Sequence, residues 1–83
     1  MRKNAQEVMN AWVNGNPLDK NTIRTDGEYV YSYELKIAFR GKYGRCSILS
    51  PDMTYRKFSK TTASHINACR ATYPHAERVG LIS

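Results

Sequence analysis

The side chains with most chemical potential here are Lys, Arg, Tyr, His and Cys, and the cations crowd one segment. From Glu34 to Lys60, seven basic residues (Lys36, Arg40, Lys42, Arg45, Arg56, Lys57, Lys60) meet two acids (Glu34, Asp52), a local charge of +5. The other six basic and five acidic residues sum to +1, which completes the net +6 of the 83-residue chain. A positive field on a folded platform, not on a tail, points to a polyanionic partner. Lys36, Arg40, Lys42, Tyr43, Arg45 and Lys57 are therefore read as nucleic-acid-binding, and Tyr55 joins them if its strand keeps the same face. Arg and Lys would supply phosphate contacts, and an exposed Tyr would stack on an unpaired base. The competing reading is a basic surface that only keeps the domain soluble.

Other chemistries have weaker signals. His65 and Cys69 are spaced i, i+4 and share a helical face, a usable geometry for two metal ligands. A structural zinc needs four, and neither a Cys-x-x-Cys nor a His-x-x-x-His pair is present, so no metal or other cofactor is expected. The same two residues could form a Cys–His nucleophile pair, but a third member and an oxyanion loop are missing. A metal-free ribonuclease would use Arg40, Tyr43, Arg45 and Lys57 to stabilise a phosphorane-like transition state. No paired acid and base can be named for it, so the expectation is a non-catalytic protein. Gly41-Lys42-Tyr43-Gly44 is a short basic loop without P-loop spacing.

These residues must be positioned by one small domain spanning 1–83, since 41% hydrophobic and 24% charged residues are ordinary for a compact chain. No apolar run approaches the ~20 residues that span a bilayer. The N-terminus MRKNAQEV lacks a signal-peptide core, so the expected location is cytoplasmic, with Cys46 and Cys69 reduced. The organising stretch is Glu28 to Arg40. Its odd positions are Tyr29, Tyr31, Tyr33, Leu35, Ile37 and Phe39, and its even positions are mostly polar. Period two predicts extended chain with the odd side chains buried and the cations outward.

The stretch is longer than the ~5–6 residues of a usual strand, which predicts a break near Ser32–Glu34 and strands at 28–33 and 34–40. A two-residue loop at Gly41-Lys42 would lead into a strand at 43–49. That register sets Ile37 against Cys46, Leu35 against Ile48 and Phe39 over Gly44 on the apolar face. It sets Lys36/Ser47, Ala38/Arg45 and Arg40/Tyr43 on the other. After a turn at Ser50-Pro51-Asp52, a strand at 54–58 is expected at an edge, where Arg56 can reach solvent. A helix over 4–14 is predicted from an Asn4 cap, Glu7 three residues on, the stripe Ala5, Val8, Met9, Trp12, and Gly15 as terminator. The stretch from Leu18 to Gly27 reads as a polar connection ending in a Thr25-Asp26-Gly27 turn. A second helix over 61–73 would lay Thr62, Ile66, Cys69 and Tyr73 on the sheet, and 75–83 is a tail whose Val79, Leu81 and Ile82 can add a short strand. The fold class is α+β: two layers, with an antiparallel meander of three to four strands.

Two segments, TDGEYVYSYELKIA (Thr25 to Ala38) and YRKFSKTTASH (Tyr55 to His65), resemble a family of short phage-encoded proteins. The matching residues are Thr25, Asp26, Gly27, Tyr31, Ser32, Tyr33, Ile37, Ala38, Ser59, Thr61, Thr62 and His65, about half of the chain being covered. The resemblance implies a viral origin and carries over no activity or site residue. The expected function is thus a phage-type accessory protein that binds nucleic acid, or a ribonucleoprotein, through a basic sheet face. The alternative is a protein-directed inhibitor of a host enzyme or defence complex, with a host nucleic-acid-handling protein as partner. No membrane partner is expected. An exposed edge strand leaves pairing of two copies open.

Overall fold

The computed structural model describes residues 3–41, 43–54 and 57–82. The order is α1 (Lys3–Val13), β1 (Leu18–Asp19), β2 (Ile23–Thr25), β3 (Tyr29–Ser32), β4 (Leu35–Arg40), β5 (Cys46–Leu49), a 3-10 turn (Pro51–Met53), α2 (Lys60–Thr72) and β6 (Glu77–Val79). The strands form a six-stranded sheet in sequence order, antiparallel except for the parallel β5–β6 pair. Both helices pack on one face of it, the α+β two-layer arrangement that the sequence predicts.

Helix α1 buries Ala5, Val8, Met9 and Trp12, as their spacing requires. Asn4 lies inside the helix and is not its cap, and Glu7 instead bonds Lys20 at 2.7 Å. The C-terminus ends as expected: Gly15 sits at φ 72°, and the Asn16 and Gly15 amides donate to the carbonyls of Ala11 and Trp12. Helix α2 is capped by Ser59, whose side chain accepts from the Thr62 amide. It buries Thr62, Ile66 and Cys69 together with His65 and Ala68.

The sheet departs from expectation in four places. The 18–27 connection contains β1 and β2. Thr54, Lys57 and Phe58 are not in a strand, and Tyr55 and Arg56 lie outside the described residues. The tail adds the short strand that its sequence allows, β6, but pairs it parallel to β5, outside the expected antiparallel meander. The β4–β5 connection spans 41–45 instead of two residues, with the Gly41 amide donating to the Arg45 carbonyl at 2.6 Å. Arg40 therefore opposes Cys46, and Ala38 opposes Ile48.

The decisive difference is the facing of the long alternating stretch. The stretch breaks where its length predicts, in a hairpin whose turn residues are Tyr33, at φ 56°, and Glu34. A two-residue turn pairs Ser32 with Leu35, so the inward parity switches from even in β3 to odd at the start of β4. A bulge at Ile37 then shifts it back, since Lys36 opposes Tyr31 and Ala38 opposes Val30. The helix-facing side carries Val30, Ser32, Ile37, Ala38, Cys46 and Ile48. Tyr29, Tyr31, Lys36 and Phe39 stand on the outer side, half-buried.

Candidate nucleic-acid interface

One turn, between β2 and β3, ties the sheet to the end of α1. In Thr25-Asp26-Gly27, the Thr25 hydroxyl donates to the Tyr29 carbonyl at 2.6 Å, and Asp26 Oδ1 accepts from the Glu28 and Tyr29 amides at 2.9 and 2.8 Å. Gly27, at φ 103°, lies so close to the end of α1 that a Cβ there would come within 2.6 Å of the Gly15 carbonyl oxygen. Trp12 Nε1 donates to the Glu28 carbonyl at 2.8 Å and joins the helix to the same turn.

On the face itself, rings and cations alternate. The Arg24 guanidinium lies 4.6 Å from the centroid of Tyr31, and Lys36 Nζ lies 4.6 Å from that of Tyr29. Tyr29 is 4.8 Å from Phe39 and 6.2 Å from Tyr31, centroid to centroid. Arg24 also meets the exposed Glu34 carboxylate at 3.7 Å, a contact of small worth in water. Beyond Tyr31 is a groove of about 620 Å³ lined by Pro17, Leu18, Asp19, Arg24, Thr25, Asp26 and Tyr31. Burial, and then the charge of Asp26, push the Tyr31 phenol above its ordinary pKa. On the far side, Tyr29, Phe39 and Ser47 share a smaller groove of about 190 Å³ with Val79, Leu81 and Ile82.

The residues expected to form one basic wall are dispersed. Lys36 is on the outer face. Arg40 is on the helix side, where its Nη2 donates to the Gly27 carbonyl at 3.0 Å and its Nε is buried without an acceptor. The parity shift at Ile37 placed it there, and the adjacent α1 C-terminus favours a cation. Tyr43, 99% exposed, and the exposed Arg45 occupy the 41–45 loop, at the opposite end of β4 from Lys36. Lys57 is exposed just before the Ser59 cap. Lys42 lies outside the described residues. The sequence reading missed Arg24, hidden in a three-residue strand, and assigned Tyr29 and Tyr31 to the core.

A second cationic place lies on the helix side. Lys3, Asn4, Ala5, Thr22, Ile23, Lys60, Thr61, Ser64 and His65 line a cleft of about 310 Å³, with no carboxylate among them. His65 is nonetheless a structural residue: its Nδ1 is 2.7 Å from the Ser32 hydroxyl, which is 3.0 Å from that of Thr62. Ser32 is buried, out of reach of a substrate. Ser32, Thr62 and His65, drawn from the two segments that carry the phage-family resemblance, meet in this network. Cys69 is buried and its thiol pushed far up by desolvation, and burial raises that of Cys46 too, which disfavours the thiolate either role needs. Among the described residues, no three His, Cys, Asp or Glu side chains gather to hold a metal, and no helix is long and apolar enough to cross a membrane. Comparison with protein-family models, curated proteins and solved structures returns no match for this chain.

Proposed function

We propose that the protein is a non-catalytic binding module that holds an unpaired nucleic-acid strand on the outer face of its sheet. The observation that carries this reading is the pairing of Arg24 with Tyr31 and of Lys36 with Tyr29 on one exposed surface. Rings at this spacing offer bases a place to stack, and the cations beside them can turn to the phosphates. Arg45 and Tyr43 extend the path at the loop, and the chain's +6 charge draws a polyanion toward it. The phage-type accessory role and a host-cytoplasmic location belong to this proposal through the resemblance alone.

The test is anisotropy with labelled single-stranded DNA and RNA from ~50 mM salt upward. Affinity should fall with a log–log slope of roughly −0.7 per neutralised phosphate. Tyr31→Ala should weaken binding by about 1–3 kcal/mol. Absence of binding at the lowest salt overturns the proposal. It would favour the second reading, a protein-directed inhibitor, for which Leu81 (77% exposed), at the edge of the Phe39 groove, is the specific observation. Loss of labelled RNA during incubation would instead point to a ribonuclease.

A further inference from the structure

The outer face is not uniformly positive. The groove beside Tyr31 is bordered by two carboxylates, Asp19 and Asp26, which would repel a phosphate. Each has one oxygen engaged: Asp19 Oδ1 accepts from the Asn21 amide at 2.8 Å, and Asp26 Oδ1 accepts from the Glu28 and Tyr29 amides. Neither Oδ2 bonds another described residue. Between Asp19 and Lys36 stand Arg24, opposite Asp19 in the β1–β2 ladder, and Tyr31, opposite Lys36 in the β3–β4 ladder, with the guanidinium 4.6 Å from the ring centroid. The surface thus runs from hydrogen-bond acceptors, across a platform of guanidinium and ring, to the Lys36 ammonium.

A nucleotide has the complementary polarity. Its phosphate needs the cation, its base needs the ring or the guanidinium plane, and an exocyclic amine on the far edge of the base needs an acceptor. Resting on the reading of this face as a nucleic-acid platform, we infer that the groove beside Tyr31 selects amino-bearing bases, with Asp19 or Asp26 accepting from the exocyclic amine. A carboxylate set at the exocyclic 4-position suits cytosine and not uracil, whose one donor on that edge is the N3–H beside it. Uracil presents a carbonyl where cytosine presents the 4-amino group, so its oxygen would face a carboxylate. The free carboxylate oxygens discriminate by leaving the wrong base unpaired or repelled. The backbone of the strand lies on the Lys36 side of Tyr31, away from the acids.

The probes are labelled deoxyoligonucleotides of cytosine alone and of uracil alone, equal in length, measured with the full chain at one low salt concentration. These bases differ only at C4 and in the adjacent N3, an acceptor in cytosine and an N–H donor in uracil, so backbone contacts cancel in the ratio. Oligo-dC should bind about 5- to 100-fold tighter than oligo-dU. Asp19→Asn and Asp26→Asn, measured separately, keep the Oδ1 acceptor that holds each turn and replace the free oxygen with an N–H donor. At least one of them should erase or reverse the preference, because a donor suits the uracil carbonyl. Equal binding of the two probes by the unaltered protein overturns the inference and leaves the platform standing. So does a cytosine preference that survives in both variants. If neither probe binds, the platform reading itself fails, and the inference with it.

Discussion

The two faces of the sheet are built from the same alternating stretch and come out opposite in character. The helix-facing side is small and aliphatic in its middle strands, with Val30, Ser32, Ala38 and Ile48, because Trp12, Met9 and Ile66 reach down from the helices and fill the space. Bulky rings there would overpack a region the helices already fill. The outer side has no helix layer, and half-buried Tyr29, Tyr31 and Phe39 cover its backbone with Arg24 and Lys36 over the rings. A ring on a strand is therefore not evidence of a core position. What lies opposite the face decides.

The sharpest way to break this contrast is to compare truncations across it. Trp12→Ala should cost about 3–5 kcal/mol in urea unfolding, since a fully buried indole is lost together with its bond to Glu28. Tyr31→Ala should cost under about 1 kcal/mol, because the ring is half-buried at the surface. Equal losses would show that the outer face is a core in its own right.

Arg40 and Lys36 sharpen the contrast among the cations. Arg40→Ala should lower stability by about 1.5–3 kcal/mol, the usual worth of a charged hydrogen bond, and leave nucleic-acid affinity unchanged. Lys36→Ala should do the reverse. A loss of affinity in Arg40→Ala at unchanged stability would restore the single basic wall that the alternation predicts. Within the core, Ser32→Ala removes the hydroxyl shared by Thr62 and His65 and should cost about 1–3 kcal/mol by chemical denaturation.

The smallest effect expected is acid sensitivity at the sheet edge. The Ser50 hydroxyl, and then Arg78, hold the exposed Asp52 carboxyl down to about 2 from 3.8. Because the folded pKa is the lower one, this contribution is complete above pH ~4 and fades as pH falls toward ~2. Asp52→Asn should flatten that part of the pH–stability profile. An unchanged profile between those limits would show that the cluster is fully screened.

Local pattern was enough for several elements. Ala5, Val8, Met9 and Trp12 mark a helix stripe, Gly15 ends it, and Ser59 begins the second helix, because each depends on neighbours within a turn or two of chain. The break near Ser32–Glu34 and the α+β class follow from the same short-range logic. The candidate site was less legible: Lys36, Tyr43, Arg45 and Lys57 are accessible as expected, but Arg40 is turned toward α1 and Arg24 was missed. Period two divides a stretch into two sets of side chains without saying which set meets the helices. That choice rests on the two-residue turn at Tyr33–Glu34 and the extra residue at Ile37, each of which reverses parity. It rests also on how much volume Trp12 and its neighbours bring from across the sheet. Alternation is a property of the chain, but inside and outside are properties of what packs against it.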